Sequence, residues 1–159
     1  TSDYLGSAFA TWTCRLALRL WDKRMNRVEA EDQMFTHAQA ACTEAGLTVV
    51  WSNIPDQQPD QINWAQVYVK HTGEGRQRGF TARGLRRYRE KGNLWIKIHV
   101  LIGDGTSTTT PITQKVLEYF RKLRISNISY VNIRAVEDKA HGRFFVTDFI
   151  ADFSYDVFN

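Results

Sequence analysis

Four histidines are the side chains best suited to bind a metal ion or to transfer a proton near neutral pH. They are His37, His71, His99 and His141, and they fall in four different predicted elements. Metal-binding histidines are usually spaced i, i+4 on a helix or a few residues apart in a loop, and this sequence lacks that spacing. We therefore expect structural or surface roles for all four, with His99 partly exposed on the outer face of a central strand.

Asp148 and Asp152 are the carboxylates best placed for acid–base chemistry, because both fall on one face of the last predicted strand. Residues four apart on a strand are separated by about 13 Å along it, whereas the two carboxylates of a glycosidase lie roughly 5–10 Å apart. The two aspartates alternate with an apolar face, which is typical of a solvated strand surface. We expect no catalytic pair here.

Motifs for nucleophiles and phosphates are also missing from the sequence. No serine stands in a Gly-x-Ser-x-Gly elbow, and Cys14 and Cys42 lie among small and apolar residues, which predicts two buried thiols in a reducing cytoplasm. Gly73-Glu74-Gly75 and Gly103-Asp104-Gly105 are not followed directly by a helix, so no helix N-terminus is aimed at a phosphate. We therefore predict no catalytic, cofactor-binding or metal-binding residues, and we expect a protein that is not an enzyme.

The stretch from Gly73 to Gly92 is the most unusual part of the chain. Five glycines interrupt it, and between Arg76 and Lys91 it holds seven cations and one anion. The whole chain carries a net charge of only +4, so the rest of the chain is slightly acidic. We call residues 73–92 the basic arm, and we expect a long β-hairpin or loop between two strands.

The charge of the basic arm is compatible with three interpretations. Its cations, with Phe80 and Tyr88 between them, could contact the phosphates and bases of a nucleic acid. They could equally meet an acidic surface on another subunit, since arginine is favoured at protein interfaces, or remain solvated. The candidate interface residues are Arg76, Arg78, Arg83, Arg86, Arg87, Tyr88 and Arg89.

Length and composition predict one domain over residues 1–159. With 159 residues and 43% apolar content, the chain can build one hydrophobic core. No run approaches about 18 apolar residues, so we expect no membrane span. The first residues also lack the layout of a secretory signal.

Hydrophobic periodicity predicts an α+β fold with a mainly antiparallel or mixed sheet, helices packed on one face, and the basic arm between two strands. The first 46 residues are expected to be helical, with Gly46 as the left-handed stop. A later helix should begin at Thr110 and Pro111, as cap and first helical residue. The predicted helices and strands are Tyr4 to about Asn26, Val28 to Ala45, Leu47 to Trp51, Trp64 to His71, Asn93 to Ile102, the helix from Thr110, Ile128 to Val136, and Arg143 to Val157.

Three strands carry the predicted core. In the central strand, alternate residues from Leu94 to Ile102 form a face of five apolar side chains. In the last strand, alternate residues from Phe145 to Tyr155 form the corresponding face. In the predicted strand from Ile128 to Val136, which lies between these two along the chain, Val131, Ile133 and Ala135 are predicted to share a face.

Several short motifs follow one another in a recognisable order. They are Trp51-Ser52-Asn53-Ile54-Pro55, Gln66-Val67-Tyr68-Val69, the basic arm, Arg87-Tyr88-Arg89-Glu90-Lys91-Gly92-Asn93-Leu94-Trp95-Ile96, Val100-Leu101-Ile102-Gly103-Asp104-Gly105, and Val146-Thr147-Asp148-Phe149-Ile150-Ala151-Asp152-Phe153-Ser154-Tyr155-Asp156. In order and spacing, this set resembles the tail terminator proteins of long-tailed (siphovirus-type) bacteriophages. The resemblance covers about two thirds of the chain. Family members often have one N-terminal helix where this chain has two helical segments, and a proline where this chain has Ile102.

The resemblance implies a structural virion protein. Such a subunit forms a ring, commonly a hexamer, that caps the tail tube, stops its polymerisation and joins the tail to the head. The implied partners are further copies of the chain, the major tail tube protein and the head–tail connector or neck protein, with non-specific contact to DNA in the lumen and none to a membrane. The implied location is the neck end of the virion tail, and the host cytoplasm during assembly. The alternative from the residues alone is a nucleic-acid-binding module that uses the basic arm; an enzyme of unknown reaction has no motif behind it.

Overall fold

The structure is a computed structural model that describes most of the chain from residue 25 onward. The described residues are 25–51, 59, 62–72, 76–80, 84–104, 106–123 and 127–158. The predicted helix from Tyr4 to about Asn26 lies outside them except for its end. There, Asn26 is extended and caps the following helix.

The described residues form two α-helices and a six-stranded sheet, which confirms the predicted α+β fold. The strand order is β1-β2-β4-β6-β5, with β3 paired to β4. Only the β1–β2 pair is parallel among these strands, so the sheet is mixed and mainly antiparallel. The elements in chain order are α1 (Arg27–Glu44), β1 (Thr48–Trp51), β2 (Trp64–His71), β3 (Arg76–Phe80), β4 (Arg86–Leu101), a 3-10 turn (Ile102–Asp104), α2 (Thr106–Lys122), β5 (Ser129–Glu137) and β6 (Phe144–Phe158).

Both ends of α1 follow from local sequence. The Asn26 side chain accepts a hydrogen bond from the Glu29 amide, and the Glu29 carboxylate accepts one from the Asn26 amide. This capping box satisfies two amides that the first turn leaves without helical partners. Gly46 has φ +76°, as predicted for a left-handed residue after the helix.

The core lies between the two helices and one face of the sheet. Leu94, Ile96, Ile98 and Val100 are fully buried on that face of β4, as predicted. The predicted face of β6 is also confirmed, because its side chains from Thr147 to Tyr155 are buried at every second position. Ile102 was predicted to continue the face of β4, but it is exposed because the strand ends at Leu101 and the chain enters the 3-10 turn.

Helix α2 begins earlier than the sequence predicts. It starts at Thr106, and Pro111 lies inside it rather than at its first position. A proline this close to the start removes one backbone hydrogen bond of the early turns. The burial of Val116 and Phe120 against the sheet holds the helix despite that loss.

A β-bulge in β5 makes the predicted alternation of that strand wrong. Asn132 has φ +51°, and the pairing with β6 shifts between Val131 and Arg134. The bulge leaves Val131 opposite Asp152, exposed on the face of the sheet away from the helices, whereas Ile133 packs against the core. A single extra residue therefore changes which side chains are buried.

Within the described ranges, no helix is long and apolar enough to cross a membrane.

Candidate interaction surface: the basic hairpin and the open sheet face

The basic arm is a β-hairpin. Strand β3 pairs antiparallel with the start of β4, from Arg76 opposite Arg89 to Phe80 opposite Arg86, with an irregularity between Gln77 and Gly79. We call residues 76–91 the basic hairpin. Its second half was predicted to lie outside the central strand, but β4 begins seven residues before the predicted Asn93. This second half of the hairpin lacks apolar periodicity, yet its backbone pairs with β3 on one side and with β6 on the other.

The seven candidate interface residues do not form one cluster of free cations. Arg83 and the side chain of Arg76 lie outside what the structure describes. Arg78 and Arg86 are exposed, and Tyr88 is half-buried.

Arg87 and Arg89 both bind the carboxylate of Asp156. Both guanidinium groups donate hydrogen bonds to Asp156 on β6: Arg87 through Nε and Nη2, and Arg89 through Nε at 2.9 Å and Nη2 at 3.2 Å. Asp156 has only 19% of its side chain exposed. Its partial burial raises its pKa, but the hydrogen bonds from Arg89 and Arg87 outweigh burial, and the net pKa is lowered. Two of the seven candidates are thus paired within the domain, although both side chains remain partly exposed.

Replacing Asp156 with asparagine is expected to lower the free energy of unfolding by about 1 kcal/mol at low salt. The loss should shrink at high salt, because screening weakens the ion pairs of the wild type. Urea unfolding at two salt concentrations measures both effects. The matched control is Glu118→Gln, which removes an exposed ion pair with Lys122 on α2 and should have no measurable effect. Equal losses for both variants would contradict a special role for Asp156.

The sheet face away from the helices carries a row of large apolar side chains, and we call this surface the open face. Tyr68 on β2 lies directly opposite Trp95 on β4, and Trp95 lies opposite Ile150 on β6. Tyr68 is 37% exposed and Trp95 is 36% exposed, whereas Ile150 is buried between its neighbours. Exposed aromatic rings at the centre of a sheet face are typical of interaction surfaces.

Besides Asp156, two carboxylates on β6 contact polar groups on neighbouring strands. Asp148 lies 3.9 Å from the Lys97 ammonium group, and burial raises its pKa. Asp152 accepts hydrogen bonds from Asn93 and Asn132, and the bond from Asn132 is the main cause of its lowered pKa. The two aspartates share a face, as predicted, and each has its own partners rather than the other.

One end of the open face is closed by an aromatic cluster that corrects the expectation for His99. The rings of Trp64 and His99 stack at 3.7 Å with an angle of 2° between their planes, and Phe144 contacts both edge-on. His99 is therefore only 8% exposed. Burial is the main cause of its pKa, which is lowered to about 4. The sequence does not show this burial, because it depends on the register that places Trp64 opposite His99 on the neighbouring strand.

The other histidines have structural or surface positions. The Nε2 atom of His71 lies 2.8 Å from the Tyr155 hydroxyl, and its Nδ1 atom lies 3.4 Å from the Glu31 carboxylate. His37 contacts the Tyr130 hydroxyl at 2.9 Å, and His141 is exposed. In the part of the chain that the structure describes, no group of three or more His, Cys, Asp or Glu side chains could hold a metal ion.

The structure adds three aromatic residues to the candidate surface. None of them is among the seven candidates chosen from the charge of the basic arm. Phe80, at the end of β3, is 67% exposed beside the arginines of the basic hairpin. Tyr68 and Trp95 are the exposed aromatics of the open face. The signal for these two was present in the sequence, because both occupy positions that alternate with the buried faces of their strands.

Comparison with known proteins supports the fold and does not extend to function. No protein-family model matches this chain, and no curated protein matches its sequence. A solved structure with 15% sequence identity superposes with a TM-score of 0.51 over 73% of this chain and 84% of that chain. At this identity, the likeness shows a shared fold alone.

Proposed function

We propose that this protein is a tail terminator subunit of a long-tailed bacteriophage, which assembles into a ring at the neck end of the tail. The observation that carries the proposal is the basic hairpin: a strand pair that ends in exposed cations and an exposed Phe80, attached to a domain that is otherwise slightly acidic. A ring requires two different surfaces on each subunit that fit each other.

The positions of the family-like motifs support the same proposal. The aromatic residue of the first motif, Trp51, ends β1. The second motif lies in β2, the motif from Arg87 to Ile96 forms most of β4, and the segment with Gly103 leads into α2. In this proposal the subunit is not an enzyme: the ring, expected to be a hexamer, stops growth of the tail tube and binds the head–tail connector.

A nucleic-acid-binding module is the second candidate, and one observation favours it. Lys70 lies two residues from Tyr68 on β2, Lys91 lies four residues from Trp95 on the same face of β4, and both lysines are exposed. Nucleic-acid-binding surfaces combine cations for the phosphates with aromatic rings for the bases. This candidate predicts DNA binding that weakens steeply with salt, without assembly into a ring.

Native mass spectrometry and negative-stain imaging of the purified protein distinguish the two candidates. We expect closed rings of one stoichiometry, and we expect these rings to bind the ends of tail tubes. A fluorescence titration with DNA at two salt concentrations is the parallel measurement. A protein that stays monomeric at high concentration and does not bind tube ends would refute the tail terminator proposal, and salt-sensitive DNA binding by that monomer would favour the second candidate.

A further inference from the structure

We propose that a cleft on the open face, where the basic hairpin joins the rest of the sheet, binds a phosphate group through Arg78, Arg89 and Lys91. The cleft has a volume of about 370 Å³. Two sources carry such a group: a nucleic-acid backbone and a free nucleotide. The inference does not depend on the proposed ring, because it concerns the chemistry of this one site.

Strand pairing brings the three cations together. Arg89 and Lys91 lie two and four residues before positions that share the face of Trp95 on β4, because side chains alternate along a strand. Lys91 lies opposite Ser154 on β6, and Arg78 reaches the cleft from β3. Arg78 and Lys91 are exposed, and the Arg89 side chain is 32% exposed. A ligand in solution can therefore reach all three.

The cleft has an excess of positive charge when its charged neighbours in the described part of the chain are included. Three cations and one carboxylate, Asp152, line it. Beside the lining residues, the structure places three further cations and one further carboxylate. They are Arg87, Arg134, Lys70 and Asp156. Six cations against two carboxylates give a net charge of +4, which favours an anionic ligand.

The remaining charges nearby do not remove this excess. Glu90 alternates to the other face of β4, where its charge acts on His71 and Tyr155. The far end of the open face adds one cation, Lys97, and two carboxylates, Asp138 and Asp148. Counting that end as well leaves a net charge of +3, since +4 +1 −2 is +3. The positive charge is therefore concentrated at the cleft.

Arg89 is already oriented by the fold. Its Nε and Nη2 atoms donate hydrogen bonds to Asp156 at 2.9 and 3.2 Å, and Nη1 has no hydrogen-bond partner among the described residues. Because Arg87 binds the same carboxylate, this group of three side chains keeps a net charge of +1. A guanidinium group that is held in place loses less conformational entropy when it binds a phosphate oxygen.

The one carboxylate that lines the cleft is neutralised within the domain. Asp152 accepts hydrogen bonds from Asn93 and Asn132, and it lies 3.6 Å from the Arg134 guanidinium group. Its repulsion of an incoming anion is thereby reduced. Ser154 adds a hydroxyl to the lining. Several donors spread around one cleft suit a phosphate, which has several acceptor oxygens.

An NMR titration with sodium phosphate tests the site. The amide resonances around Lys91 are expected to shift and to saturate, and sodium chloride at equal ionic strength should not reproduce these shifts. Lys91→Gln and Arg78→Gln are each expected to weaken phosphate binding about tenfold, because each removes a charged donor. Asp152→Asn is expected to tighten binding about threefold, because it removes the negative charge of the lining.

Lys115→Gln is the matched control, because Lys115 is an exposed cation on α2, away from the open face. It should leave the phosphate affinity unchanged, and thermal unfolding checks that every variant is folded. Shifts that are absent or do not saturate would overturn the phosphate site, as would equal effects of Lys91→Gln and Lys115→Gln. Native mass spectrometry of the same samples reports on the ring separately, so either proposal can fail without the other.

Two further titrations identify the source of the phosphate group. One uses adenosine monophosphate, and the other uses a short single-stranded DNA oligonucleotide. Tighter binding of the oligonucleotide at the same resonances would assign the cleft to a nucleic-acid backbone. Equal affinities would assign it to a free nucleotide, and failure of both ligands to shift these resonances would overturn the proposal.

Discussion

Replacement of Gly92 with alanine is expected to lower the free energy of unfolding by about 3 kcal/mol. Gly92 lies in β4 between His71 on β2 and Phe153 on β6. A Cβ atom at this position would come closer than 3.0 Å to both the Lys70 carbonyl oxygen and the Phe153 ring. The carbonyl belongs to the paired backbone and cannot move without breaking the sheet, and over-packing a core of this kind typically costs about 1–3 kcal/mol.

Gly103→Ala is the matched control for this prediction. Gly103 lies in the 3-10 turn, and an added Cβ would meet nothing within 4 Å. We expect its free energy of unfolding to change by less than about 0.5 kcal/mol. Urea unfolding of the three proteins measures the difference. Similar stabilities for Gly92→Ala and Gly103→Ala would show that the sheet adjusts at Gly92 and would contradict the prediction.

Acidification is expected to destabilise the protein through His99. Its pKa is about 4 in the folded state, and about 6.5 in an unfolded chain. Because the folded state favours the neutral ring, the contribution of His99 to stability is complete above about pH 6.5. It falls as the pH drops toward 4, by about 3 kcal/mol in total. A hydrogen bond with the Lys97 backbone favours the protonated ring and raises the pKa of His99, and the smaller charge effects of Lys97 and His141 lower it, so burial decides the net direction.

His99→Phe isolates this contribution. A phenylalanine keeps a ring stacked on Trp64 and removes the titrating group, while His37 and His71, whose pKa values are also lowered by burial, remain in both proteins. We expect the difference in unfolding free energy between wild type and variant to change by about 3 kcal/mol between pH 7 and pH 4. An NMR titration that placed the His99 pKa near 6.5, or parallel pH profiles, would refute the prediction.

Elements with a repeated apolar pattern were predictable from the sequence, and elements set by a single residue or by pairing were not. The faces of β4 and β6 follow from strict alternation, and β2 has the predicted bounds of Trp64 and His71. The bulge at Asn132 inverted part of β5 because one extra residue has no periodic signature. Helix α2 begins at Thr106, ahead of the predicted start at Thr110 and Pro111, because tertiary packing outweighed the local start signal.

The candidate surface was predictable in position but not in composition. The sequence located the basic arm and its cations. It could not show that Arg87 and Arg89 bind Asp156, because that carboxylate lies more than 60 residues away in the chain and meets them only through the pairing of β4 with β6. Nor does charge identify Trp95, which is exposed on the face of the sheet opposite to the two described helices.

The sixteen-residue length of β4 has a geometric consequence for assembly. One unbroken strand runs from the basic hairpin at Arg86 to the exposed ring of Trp95 on the open face, with paired strands on both sides. In the proposed ring, the distance between the basic hairpin and the open face is therefore set by the covalent length of this strand, at about 3.3 Å per residue.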